Sequence, residues 1–171
     1  MAMLSDDDLI PDAKLWNNGR GVDPESWIWM TGNYDLAVGY SFVFWPEFVV
    51  IDDYVLRQGS TEANLREWEK TGHSRKGIEA VINHIHIADI HSDMPTSEAQ
   101  LRHLGRVLKA IYQLKLSVDF PDRAFEVHFN DEPGLGDIDY ELTFFQVSAA
   151  GDEGLRSILS RLFGSWIKPR P

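Results

Sequence analysis

The sequence predicts an α+β fold: four to five helices packed on a small antiparallel sheet of about four strands built from two hairpins. Three observations carry this. Apolar residues recur every three or four positions in several segments, as on one face of a helix. Two other regions are rich in Val, Ile, Phe and Tyr or alternate apolar with polar, as strands do. Caps and breakers separate these segments without any low-complexity linker, so the expected organisation is a single domain. Its parts are an irregular arm over 1–22, an α+β body over 23–150, and an amphipathic tail helix over 151–171 belonging to the same domain.

Taken in order, the arm mixes Asp, Pro, Asn and Gly with few periodic apolar positions. At Asp23-Pro24-Glu25 an N-cap, a first-turn proline and an early carboxylate predict a helix start. The segment meets Gly32-Asn33, restarts with Asn33 as a cap, and stops at Pro46. Ser26 to Pro46 carries Asp35 as its only formal charge, and Thr31 to Asp35 interrupt it with polar groups. A membrane span needs about 18 or more unbroken apolar residues, so the expectation is a buried helix pair.

Glu47 to Ile51 and Tyr54 to Arg57 around Asp52-Asp53 predict a β-hairpin with a short polar turn. Ser60 is expected to cap a short helix with Leu65 and Trp68 inward, and Ser74 the next one. From Arg75 to His91 the residues Ile78, Val81, Ile82, Ile85 and Ala88 share one helical face. Thr96 or Ser97 starts the longest helix, in which Leu101, Leu104, Leu108, Ile111 and Leu114 repeat. Alternation over Ala124 to Asn130 and Ile138 to Val147 predicts two antiparallel strands. In the tail, Leu155, Ile158, Leu159, Leu162, Phe163 and Trp166 form an apolar stripe with Arg156, Arg161, Lys168 and Arg170 around it.

Composition narrows the chemistry. There are no cysteines, which removes disulfides, thiolate zinc sites, iron–sulfur clusters and cysteine nucleophiles, and suits a reducing compartment. Asp6, Asp7, Asp8 and Asp12 precede the first Lys, unlike the basic start of a signal peptide, so a cytoplasmic location is expected. No Gly-x-Ser-x-Gly, P-loop or dinucleotide fingerprint is present.

Two constellations are candidate sites. No cofactor is expected; the string Asn83 to Asp93 nevertheless holds three of the six histidines, and in the alternative reading His84, Asp89, His91 and Asp93 are the candidate ligands for a divalent metal. Its His84-x-His86 and Asp89 resemble the His-x-His-x-Asp-His motif of metallo-β-lactamase-like hydrolases over fewer than a dozen residues. Asp89 stands one position late, and Ile90 replaces the following His. On a helix His84 and His91 share a flank while His86 points away; on a strand His84 and His86 would share a face.

The second is the late hairpin. Alternation places Glu126 and His128 on one strand beside Asp139 and Glu141 on the other, with Asp131, Glu132 and Asp137 in the connecting loop. Phe120 to Gly154 has nine carboxylates against Arg123 alone. A concentrated negative field favours a protein partner with a basic surface and opposes nucleic acid. The leading expectation is therefore a non-enzymatic, cytosolic binding protein. It would be an acidic adaptor or immunity-type neutralising protein, using Glu126, Asp131, Glu132, Asp137, Asp139 and Glu141, with homo-oligomerisation left open. The alternative is a divalent-metal-binding protein or metal-dependent hydrolase built on the His84–His91 segment. A third reading is a small apolar ligand held near Trp27, Trp29, Tyr34 and Tyr40.

Overall fold

A computed structural model describes residues 6–91, 95–132 and 140–147, and the side chains of these from residue 8 onward. Each helix begins where its sequence supplies a cap. The arm forms α1 (Asp6–Leu9), a 3-10 turn (Pro11–Leu15) and a further short turn, α2 (Trp16–Gly19). In α2 Asn17 and Asn18 adopt positive φ, a conformation asparagine tolerates better than most residues. Gln100 Nε2 donates to Leu9 O at 3.0 Å and ties the arm to the body.

Helix α3 (Pro24–Thr31) is capped by Asp23, which accepts from Ser26 N, and α4 (Tyr34–Phe44) by Asn33, which accepts from Leu36 N. Strands β1 (Phe48–Ile51) and β2 (Tyr54–Arg57) pair as an antiparallel hairpin. Asp52 and Asp53 both have positive φ, the backbone that a two-residue turn needs to follow the twist of its strands. Arg75 and Arg123 converge on Asp53, and together they hold its carboxyl below the usual carboxylate range. Thr61 rather than Ser60 caps α5 (Glu62–Glu69).

Helix α6 (Arg75–Ile82) starts at Ser74 as expected but does not run to His91. The chain leaves the helix at Asn83, forms the two-residue strand β3 (Ile85–His86) and passes into a 3-10 turn (Ile87–Ile90). Ile85 is buried in β3 and Ile87 at the start of the 3-10 turn, instead of sharing a helical stripe. The reason lies with Asn83. Its Nδ2 donates to Val55 O (2.9 Å) and Phe144 O (3.1 Å), and its Oδ1 accepts from Arg57 N (3.0 Å). Three long-range bonds to one side chain outweigh a continued helical pattern.

Helix α7 (Glu98–Asp119) opens with a capping box of Ser97 and Gln100. Strands β4 (Phe125–Phe129) and β5 (Glu141–Gln146) follow, so the expected four strands become five in two sheets, ordered β1-β2 and β3-β5-β4. The class is the α+β one that the sequence predicts. In the second sheet β5 is central and covered on both faces. On one, Phe144 and Leu142 meet α7 through Tyr112 and Leu108. On the other, Thr143 Oγ1 donates to Ala80 O of α6 at 2.6 Å. Gly105 lets α7 approach, since a Cβ there would lie 2.1 Å from the Phe129 ring.

The two sheets are joined through side chains of α6. Because β3 is short, the β5 edge beyond Leu142 has no strand beside it. Glu79, fully buried, fills part of that gap: its carboxyl accepts from Val55 N (3.0 Å), Gln146 N (2.7 Å) and Gln146 Nε2 (2.6 Å). Asn83 fills the rest through Phe144 O and Val55 O.

Removing a side chain that satisfies three backbone groups, two of them buried, costs about 3 kcal/mol. Asn83→Ala is therefore expected to lower the urea-unfolding free energy by about that amount. Gly105→Ala should cost about 2 kcal/mol through overpacking against Phe129. A change below about 0.5 kcal/mol in either variant would contradict this packing.

Candidate functional site

The histidine string is split between two places. His84 and His86 lie with ring centroids 5.2 Å apart, and His84 Nδ1 is hydrogen-bonded to Val81 O at the end of α6. Burial lowers the His84 pKa from its ordinary value, against the opposing bond to Val81, and the nearby His86 lowers it further. His91 sits elsewhere, with Nε2 on Tyr40 OH and its ring edge-on to Tyr40 at 5.5 Å. Asp89 is exposed on the 3-10 turn, and Asp93 lies outside the described residues. Thus His84 neighbours His86, as an extended segment requires, and not His91. Among the described residues no group of three or more His, Asp or Glu is placed to hold a metal ion.

The late hairpin also differs from its expected form. Glu126 is exposed opposite Phe145, Asp131 is paired with Arg106 at 2.9 Å, and Glu132 is exposed. Asp137 and Asp139 lie outside the described residues. Glu141 was expected on a solvent face, yet it is 3% exposed because α6 covers that side of β5. It stands opposite His86 across β3 and β5, and its Oε1 is buried without a hydrogen-bond partner among the described residues. Desolvation pushes its pKa up from 4.5 to about 7. A carboxyl in this position does not present charge to a partner.

The aromatic residues of α3 and α4 do not form the buried pair expected. Neither helix contains a fully buried side chain. One flank of α4 faces the body: Phe44 and Val43 pack on the core, and Tyr112 OH donates to Val43 O at 3.0 Å. Tyr40, Phe44, Ile90, His91 and Leu104 line a mainly apolar cleft of about 300 Å³ there. Trp27, Trp29 and Tyr34 are not part of this cleft.

The opposite flank of α4 is an apolar stripe open to solvent. Tyr34, Val38 and Phe42 fall at i, i+4 and i+8 and are 90%, 57% and 68% exposed, whereas Trp45, the C-cap, lies against Lys115 of α7. On α3, Ile28 and Trp29 add 59% and 86%. Isolated apolar side chains on a surface are ordinary, but a contiguous aromatic stripe marks an interaction surface. Its electrostatic setting is one-sided. Residues 21–56 contain six carboxylates and no Lys or Arg, and Glu25, Asp35 and Glu47 among them are exposed. The first 59 residues hold ten carboxylates against three basic side chains, so the negative charge is shared between this end and the hairpin.

Compared with known proteins, the chain matches no family model, no curated protein and no solved structure. No helix among the described residues is long and apolar enough to cross a membrane.

Sequence reasoning missed the open stripe because helices that are apolar all round read as buried. The lack of any basic residue over 21–56 was the available signal.

The buried Glu141 makes stability fall as pH rises. Its folded pKa lies above 4.5, so the protonated form is favoured in the fold; that contribution is complete below pH 4.5 and is lost as pH climbs through about 7. Glu141→Gln is expected to match the parent in urea-unfolding free energy near pH 4 and exceed it at pH 8 by on the order of 3 kcal/mol. A pH-independent difference between the two would refute this role.

Proposed function

We propose that this protein is a cytoplasmic binding protein whose contact surface is the apolar, acid-rimmed face of α3 and α4. Its partner is a protein with a basic surface that offers apolar groups to the aromatic stripe. The exposed Tyr34, Val38 and Phe42 of α4 carry the reading, because aromatic side chains at a desolvated centre supply most of an interface's binding energy. The surrounding Glu25, Asp35 and Glu47 would accelerate encounter with a basic partner and disfavour acidic ones. An adaptor or a neutralising protein of the immunity type fits this chemistry.

The hairpin carboxylates have a secondary place in this reading. Asp131 is engaged by Arg106 and Glu141 is inside, so neither acts as a contact charge, and Glu126 stays at the rim.

Partner capture by the immobilised full chain tests the proposal. Trp29→Glu/Phe42→Glu is expected to reduce recovery of a basic partner at least tenfold while the circular dichroism spectrum stays unchanged. Glu126→Lys/Glu132→Lys should alter mainly the salt dependence. Equal recovery by the parent and the Trp29→Glu/Phe42→Glu variant, or recovery of no basic partner at all, overturns the reading.

A further inference from the structure

We infer that the cleft between α4, α7 and the 3-10 turn over Ile87–Ile90 is a binding site for a small molecule: an uncharged, two-ring aromatic that carries one hydroxyl group. The site is independent of the partner surface, which occupies the other flank of α4.

Polar ties on two sides keep the cleft open. Tyr112 OH donates to Val43 O at 3.0 Å and holds the end of α4 to α7. Tyr40 OH is hydrogen-bonded to His91 Nε2, which anchors the chain just after the 3-10 turn to the middle of α4. Phe44, Ile90 and Leu104 also pack against the core, which sets their positions from behind. Protein interiors ordinarily leave few gaps larger than a water molecule, and a mainly apolar gap of about 300 Å³ held between fixed elements has the character of a ligand pocket.

Volume sets the size of the guest. An apolar cavity of about 150 Å³ takes one benzene, so twice that volume accommodates two fused rings, roughly ten heavy atoms.

The lining sets its polarity. Tyr40, Phe44, Ile90, His91 and Leu104 include no Asp, Glu, Lys or Arg. A charged guest would give up its hydration there without meeting a counter-charge, so neutral molecules are selected. Tyr40 and Phe44 stand edge to face with ring centroids 6.1 Å apart, and Tyr40 and His91 do the same at 5.5 Å. Rings at such steep mutual angles offer both faces and edges, which favours a planar aromatic guest over a flexible aliphatic one.

One hydrogen-bonding position remains. A tyrosine hydroxyl donates one hydrogen bond and can accept others, so Tyr40 OH keeps capacity for a further partner beside His91. Where Tyr40 donates to His91, its oxygen accepts from the guest; where His91 donates to Tyr40, the phenol proton is free for the guest. A hydroxyl group serves in both cases, because it donates and accepts.

Calorimetric titration of the full chain with 2-naphthol at neutral pH tests the site. One molecule is expected to bind per chain with a Kd of about 100 μM or below. The anionic 2-naphthoate should bind at least tenfold more weakly, which reports the missing counter-charge. Tyr40→Phe keeps the ring and is expected to weaken 2-naphthol about fivefold while leaving naphthalene unchanged. Leu104→Trp puts a ring into the cleft and should weaken both at least tenfold. Trp29→Glu/Phe42→Glu alters the outer flank alone, and it should bind 2-naphthol as the parent does. Absence of saturable 2-naphthol binding by the folded parent overturns the inference. Equal affinity of the parent and Tyr40→Phe for 2-naphthol also overturns it, even where Leu104→Trp fails to fold. Loss of binding in Trp29→Glu/Phe42→Glu overturns it too, by placing the naphthol on the outer face. No readout uses a protein partner, so failure here is separate from failure of partner capture.

Discussion

Glu79 and Asn83 stand where a β-strand is missing. Strand β3 accompanies β5 for two residues and then departs, which would leave Phe144 O and Gln146 N buried without partners. In the same region β2 turns Val55 N and O toward the protein interior. Unsatisfied backbone groups in such positions cost about as much as a lost hydrogen bond each. Two side chains one helical turn apart on α6 answer both edges at once. The two-stranded hairpin and the three-stranded sheet are joined by this pair, and the order of the remaining elements follows from it. Helix α6 must lie against β5, α7 takes the other face, and β5 becomes the most enclosed strand.

That enclosure decides which charged residues remain available at the surface. With α6 on one face of β5, Glu141 is desolvated and leaves the acidic hairpin. Nothing described covers the flank of α4 that carries Tyr34, Val38 and Phe42, so these side chains and the nearby carboxylates stay in solvent. Surface chemistry is thereby divided: rim charges at the hairpin, and an apolar centre with acidic surroundings at α3–α4. The second arrangement resembles a binding surface, since apolar area gives affinity while charge gives selectivity and rate.

What the sequence made legible were the features with local causes. Asp23, Asn33, Ser74 and Ser97 cap the helices at which they stand, because a cap is decided within three residues. The β1–β2 hairpin was legible from the Asp52-Asp53 turn between β-branched runs. The features that were not legible depend on distant partners. Nothing near Asn83 shows that Val55, Arg57 and Phe144 will meet its side chain, so the apolar spacing continued on paper through a segment that the fold makes extended. Alternation set Glu141 on the face opposite Leu142 correctly, but it could not tell that α6 would cover that face. Conversely, the apolar composition of 26–46 suggested burial, and composition alone does not reveal whether a covering element lies among neighbouring residues.

The attachment of α4 has a consequence for the order in which the molecule opens. The β5-centred body is closed by aromatic packing, by α7 and by the buried polar bridges of α6, whereas α4 is held on one flank, with Tyr112 OH on Val43 O as its buried polar anchor. Native-state fluctuations follow such differences in cooperative units. Helices α3 and α4 are therefore expected to open before β5, so that their backbone amides exchange through sub-global opening while those of β5 wait for complete unfolding. A ligand on the outer flank would slow that exchange, which makes the mobility of this helix pair a direct report of its occupancy.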